Sequence, residues 1–318
     1  MSKAALPLTG GFDLRPNSSN WYSVTPMRRY LIILLIVMLA FGGYYLIQEL
    51  RDEFTLENIS FALPEHPEWR TPPLSDSEQQ FVNRILEQPF VYLGKGHQMY
   101  AFESADQQYV LKFIKFTYLK PSFLLNLIPE WSFVKTFKEH AQTGKQLRID
   151  RVFNGHSIAF TKDRENSGLI YIHLLPTTTL NKSLLLKNRL GFTYAVNLDQ
   201  HAFVLQKKGV SLRDTIQELL NRGDVKQAKQ RFQDILALYN ADYQKGIYDS
   251  DHNLMYNTGF VGSQAVRLDV GRLKFDPDAN DPEFIQADLH NVIHNRIQRW
   301  LKRYYPQYVD ELMHDLPI

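Results

Sequence analysis

The sequence predicts an α+β protein: one apolar N-terminal helix, then a part rich in antiparallel strands, then a mainly helical part. Three observations predict it. An uncharged run from Leu31 to Ile47 follows Arg28 and Arg29. Short alternating segments separated by turn residues fill the stretch from Phe90 to Gln206. Beyond Ser211 the apolar residues recur at spacings of three and four instead.

Residues 1–29 are rich in Gly, Pro, Ser and Asn and read as a flexible tail. Residues 30–48 are long enough for a single transmembrane helix. A cleaved signal peptide is the rival reading, but the apolar run starts late and no small-x-small cleavage site follows it. Lys3, Arg15, Arg28 and Arg29 precede the run, whereas Glu49, Asp52, Glu53 and Glu57 follow it with Arg51. That bias puts the N-terminus in the cytoplasm and the rest of the chain across the membrane. Residues 49–75, with prolines and charges from Glu65 to Ser77, read as a linker, so the folded domain is expected to start at Asp76. A short helix follows from Ser77 to Leu86 with a serine cap.

Strands are predicted at Phe90–Leu93, Met99–Ser104 and Gln108–Phe116, a helix at Trp131–Leu147, and strands at Ser157–Thr161, Gly168–Leu174, Phe192–Asn197 and Ala202–Gln206. These make residues 76–206 a strand-rich lobe. Residues 207–318 make a helical one. Val225, Ala228, Phe232, Ile235, Leu236, Tyr239 and Tyr243 form one face of a long helix, and Leu289 to Tyr304 form another that Pro306 stops. Ligands tend to bind between two such lobes.

Of 318 residues, 44% are hydrophobic and 22% charged, an ordinary globular mixture. The net charge of +2 supplies no global field for nucleic acid, which is excluded as a favoured partner. There is no cysteine, so disulfides, thiolate catalysis and cysteine-based zinc sites are excluded. His290 and His294 share a helix face, but Asn291 stands where a zinc protease needs Glu, and they read as surface or structural residues. Arg296, Arg299, Lys302 and Arg303 read as the solvated face of the terminal helix.

Two regions concentrate groups able to do chemistry. In Leu93-Gly94-Lys95-Gly96-His97-Gln98-Met99, two glycines one residue apart let a hairpin backbone approach phosphates, and Lys112 on the following strand can meet them with a positive charge. Farther on, Asp249, Asp251, Asn253, Asn257 and Asp269 lie in two loops flanking a short hairpin, Gly259–Leu268. Such oxygen donors can hold Mg²⁺ and leave one carboxylate to orient an attacking hydroxyl.

The order of these parts resembles the eukaryotic-type protein kinase fold and its small-molecule phosphotransferase relatives, over about Phe90 to Arg303. Gly94 and Gly96 match the first two glycines of the phosphate loop, and Met99 replaces the third. The resemblance implies ATP and Mg²⁺ as cofactors. Lys112 would hold the α- and β-phosphates, and the backbone from Gln206 to Lys208 would meet adenine. Asp269-Val270-Gly271 is similar to Asp-Phe-Gly, which makes Asp269 a metal ligand, and Asn257 would hold a second metal. For the catalytic carboxylate, Asp249 is preferred from its helix-and-strand context, with Asp251 as the close second. The partner expected for Lys112 is Glu139, or else Glu130. The catalytic-loop arginine and an Ala-Pro-Glu segment are missing, which points away from a phosphorylation-switched protein kinase. The function implied is a membrane-anchored phosphotransferase acting on a hydroxyl of protein, sugar or lipid. The alternative is a kinase-like domain that binds or scaffolds without transfer.

Overall fold

The computed structural model describes residues 26–50, 52, 54–60, 66–117, 132–314 and 316. The chain divides into two units, Met1–Leu50 and Arg51–Ile318. In the first, helix α1 (Pro26–Leu50) contains the 20-residue stretch Arg28–Ile47, long and apolar enough to cross a membrane. Its apolar residues lie on every side of the helix, the pattern of a lipid-facing or fully buried segment rather than a surface helix.

The second unit is mixed α/β. Helix α2 (Asp76–Ile85) starts at a reciprocal capping box: the Glu78 N–H donates to the Ser75 hydroxyl, and the Ser75 N–H donates to the Glu78 carboxylate. The three consecutive strands expected next are present as β1 (Phe90–Lys95), β2 (Met99–Ser104) and β3 (Tyr109–Ile114). Tyr100 and Phe102 alternate into the core along β2, as one half-buried face requires. After helix α3 (Ser132–Lys162) come β4 (Leu169–His173), β5 (Ser183–Lys187), β6 (Thr193–Asn197) and β7 (Phe203–Lys207). The seven strands form one sheet in the order β4-β7-β3-β2-β1-β5-β6. Its pairings are antiparallel except β1 with β5.

Three expectations are corrected. Ser157–Thr161 is not a strand but the last turns of α3, which runs to Lys162 rather than Leu147. Val152, Phe153, His156, Ala159 and Phe160 are all buried, a helical face that overrides the local β-like alternation. Strand β5 was not anticipated, because its three consecutive leucines hide an alternation in which only Leu184 and Leu186 point inward. Within the stretch read as a linker, the described residues include core members. Phe54 and Ile59 complete the core under β1 to β3, and Trp69 packs on Phe153 of α3.

The remainder is mostly helical and has its own core. Strand β8 (Val210–Ser211) leads into α4 (Leu212–Asn221) and α5 (Val225–Tyr243). Next come β9 (Ile247–Asp249), a one-turn helix Leu254–Asn257, the hairpin β10 (Thr258–Val261) and β11 (Gln264–Arg267), and β12 (Leu273–Phe275). Helix α6 (Pro282–Val292), a π-helical turn Ile293–Gln298, α7 (Arg299–Tyr304) and α8 (Val309–Met313) close the chain. Phe232, Ile235, Tyr239 and Tyr243 of α5 meet Val292, Leu301 and Leu312 in this core. Two small sheets, β11-β10-β8 and β12-β9, hold the loops that carry the polar residues of interest.

Candidate functional site

Strand β3 lies in the middle of the large sheet, where Lys112 pairs with Ala101 on one side and Val204 on the other. The lysine ammonium donates to the Leu268 carbonyl at 2.5 Å. Burial lowers its pKa, and the negative charge of Asp269 opposes that shift. Asp269 is exposed and accepts the Gly271 N–H at 3.0 Å.

The two polar loops are locked together by backbone. Asp249 of β9 pairs with Leu273 of β12, and the Asn257 carbonyl accepts the N–H groups of Leu268 (2.7 Å) and Asp269 (3.1 Å). The Asn257 side-chain amide donates to Asp251 at 3.2 Å, and Arg272 lies 3.7 Å from the other Asp251 oxygen. Lys112, Asp269, Asn257 and Asp251 are thus brought into one cluster.

Asp249 is placed differently. It is buried, 1% exposed, and burial raises its pKa, with the nearby Arg267 charge opposing. One carboxylate oxygen accepts the Asp251 N–H at 2.9 Å, and the other lies 3.5 Å from Arg267. Arg267 is itself fully buried: it donates to Asp242 at 2.5 Å and lies 4.2 Å above the Tyr239 ring. Asp249 therefore shapes the turn that presents Asp251. The next residue, His252, has a left-handed backbone (φ +53°), and its ring is bonded to Asp288, which raises the histidine pKa. Asp288 also accepts the Tyr243 hydroxyl at 2.5 Å, so this loop is anchored to α6 and α5 at once.

The glycine hairpin turns between β1 and β2, with the Gly96 N–H donating to the Met99 carbonyl at 2.9 Å. A Cβ built on Gly94 would meet nothing within 4 Å, so the space above this strand is open. The hairpin tip reaches the second loop: a Cβ on Gly271 would lie 2.9 Å from the Gln98 side-chain oxygen. From the other side α3 presses on the same loop. A Cβ on Gly155 would sit 2.4 Å from the Val270 carbonyl oxygen, an approach only glycine permits.

Glu130 lies outside the described residues, as does the side chain of Glu139, and so does that of His294. Among the described side chains of α3, His156 interacts with Lys112 and Asp269, and sequence reasoning missed this residue while looking for an acid. It is 2% exposed, its Nδ1 lies 2.7 Å from the Val152 carbonyl, and its pKa is lowered by burial, with the Asp269 charge opposing. Gln206 and Lys208 are engaged elsewhere. The Gln206 amide donates to the carbonyls of Ser167 (2.6 Å) and Arg267 (2.9 Å), and the Lys208 ammonium pairs with Glu103. The backbone N–H groups of Lys207 and Lys208 donate to Gly168 and Gln108, so these donors are taken up by the fold.

For a divalent cation the cluster offers oxygen donors: the exposed Asp269 carboxylate, the Asp251 carboxylate and the Asn257 amide oxygen. Among the described residues no group of three His, Asp or Glu side chains converges into a cage. Two carboxylates and an amide suit Mg²⁺ in its usual manner of binding, with substrate phosphates and water completing the shell.

No family model matches the chain, and no curated protein matches it. Among solved structures it is similar to the medium-resolution structure of the bifunctional kinase-methyltransferase WbdD, at 15% identity and a TM-score of 0.32. The match covers 69% of this chain, which spans 36% of the length of that one.

Proposed function

We propose that the second unit is a kinase-like phosphotransferase domain, with a strand-rich lobe reaching back to Phe54 and a helical lobe beyond residue 207. The observation that carries this reading is the convergence of Lys112, Asp269, Asn257 and Asp251 through β3, the Asp-Val-Gly loop and the loop after β9. In that reading Lys112 and the glycine hairpin hold the phosphates of ATP, while Asp269 and Asn257 hold Mg²⁺, which neutralises charge on the transferring group. Asp251, half-buried and tied to Asn257 and Arg272, orients the acceptor hydroxyl. Asp249, the residue preferred from sequence, supports it from below. The helix α1 anchors the domain in a membrane, and the excess of basic residues before it favours an N-terminus in the cytoplasm.

The test is thermal denaturation of the full chain in detergent with Mg-ATP. Saturating nucleotide should raise Tm by several degrees, and Lys112→Ala and Asp269→Ala should each remove the rise. No rise in the parent chain would defeat the reading.

One observation favours a second reading, a domain that binds without transfer. The ammonium of Lys112 is held by the Leu268 carbonyl, the place a bound phosphate would otherwise take. Nucleotide binding without any turnover would select this reading.

A further inference from the structure

The exposed apolar side chains of the second unit are unevenly placed. Val91 and Leu93 on β1, Leu185 on β5, and Leu190 and Phe192 in the turn from β5 to β6 are all exposed, Phe192 by 56%. Among the described residues, no other element of this unit shows more than one large exposed hydrophobic. The two strands are neighbours, with Val91 paired to Lys187. Their turn is built to be rigid. The side-chain oxygen of the buried Asn188 accepts the N–H groups of Leu190 (3.0 Å) and Phe192 (2.9 Å), and its amide donates to the Tyr194 hydroxyl at 3.2 Å. Gly191 supplies the left-handed step, φ +87°. Leu190 and Phe192 are thus held out by a preorganised backbone, which loses little freedom when something covers them. Gathered apolar side chains left exposed in this way mark an interaction site.

What covers them follows from chain continuity. Ile47 ends the apolar stretch, and five positions later the Asp52 carboxylate accepts the Tyr92 hydroxyl at 2.9 Å and lies 3.0 Å from Arg189 and 3.7 Å from Lys95. Phe54 then enters the core beside Tyr92, Phe102 and Tyr194. Five residues span at most about 18 Å. The headgroup layer flanking a bilayer's hydrocarbon is itself about 5–8 Å thick. An apolar stretch that crosses a membrane therefore holds Asp52, and with it Arg189 and the residues next to it, within reach of the headgroups. We propose that the turn from β5 to β6 docks on the bilayer, with Leu190 and Phe192 entering the boundary between headgroups and acyl chains. The proposal rests on the reading of α1 as a membrane anchor. Charge agrees with it: from Leu180 to Leu198 the chain carries Lys182, Lys187 and Arg189 and no acidic residue. Such a segment is drawn to anionic lipid, while its apolar side chains supply the burial.

The experiment exploits the absence of cysteine. Leu190→Cys, and separately Ser263→Cys in the exposed β10–β11 turn and Leu39→Cys in α1, are labelled with an environment-sensitive fluorophore in the full chain. Each is reconstituted into vesicles of phosphatidylcholine and phosphatidylglycerol that carry a lipid quencher, either near the headgroup or deep in the acyl chains. The label at position 190 should be quenched several-fold more than that at 263, and most by the shallow quencher, whereas the label at 39 should answer to the deep one. Adding Phe192→Ser should bring the quenching at 190 down toward that at 263. The proposal is overturned if position 190 is quenched no more than 263, or if Phe192→Ser changes nothing. A blue shift at 190 that persists in detergent without lipid and grows with protein concentration also overturns it, and gives the turn to a second copy of the chain. Quenching at 39 without quenching at 190 leaves the anchor standing and the docking defeated. Shallow quenching at 190 with none at 39 defeats the anchor and leaves the docking.

Discussion

Asp251 and Asp249 differ by two positions and by almost everything else. Asp251 faces Asn257 and Arg272 at the mouth of the cluster, while Asp249 is sealed beside Arg267. Asp251→Asn should lower turnover by about 10²–10⁴-fold with little change in Tm of the unliganded chain. Asp249→Asn should instead lower Tm, because it loosens the partner of a buried guanidinium; turnover assays and thermal melts on the two variants separate the roles. A second carboxyl makes a prediction in pH. Asp163 is buried next to Asp242, and burial first, then the charge of Asp242, pushes its pKa up to about 7 despite the ion pair with Lys245. The folded state thus binds a proton that the unfolded state has released, so this group's contribution is full below about pH 4 and is lost as pH rises to about 7. Relative to the parent, Asp163→Asn should gain Tm steadily across that interval and level off above it. At this scale the grouping of Lys112, Asp269 and Asn257 was legible, because the segments that carry them follow one another in a single order along the chain. The burial of Asp249 was not, since it depends on Arg267, a residue on β11 that no local spacing links to it.

At the scale of elements, α3 is where sequence and structure diverge most. Ser157-Ile158-Ala159-Phe160-Thr161 alternates like a strand, yet the burial of Val152, Phe153, His156, Ala159 and Phe160 follows a helical period. That extension carries Gly155 onto the Val270 carbonyl and His156 to the lysine, so one misread boundary concealed a member of the site. The glycine hairpin and the β10–β11 hairpin were legible because short turns between alternating runs are local features. The segment before α2 was not, because prolines and charges look the same in a spacer and in a chain laid over a core. Trp69 is 2% exposed and packs at a tilt against Phe153, and its indole donates to Asn154 at 2.7 Å. Trp69→Ala should therefore cost about 3–5 kcal/mol of stability in urea unfolding. A soluble piece starting at Asp76 should melt well below one starting at Arg51, because it lacks Phe54, Ile59 and Trp69 together; equal melting would return the segment to the role of a linker.

For the whole molecule, the α+β composition and the apolar N-terminal helix were legible from composition and period alone. The order of strands in the large sheet was not, since it depends on pairings between distant segments. Which side of the membrane holds the second unit is testable with the chain's own chemistry. It has no cysteine, so a single Ser263→Cys in the exposed turn between β10 and β11 is an unambiguous reporter. A membrane-impermeant maleimide should label it in intact cells; labelling only after lysis would reverse the orientation. The parallel pairing of β1 with β5 has a further consequence, which concerns how the chain comes to be folded at all. Phe90 pairs with Leu186, so the outer edge of the early meander has no partner until the ribosome has released the whole of α3 and two more strands, β4 and β5. Contacts over such separations slow folding, and an open strand edge recruits other chains while it waits. Biosynthesis of this protein should therefore pass through an aggregation-prone stage that ends only when the β5–β6 hairpin docks.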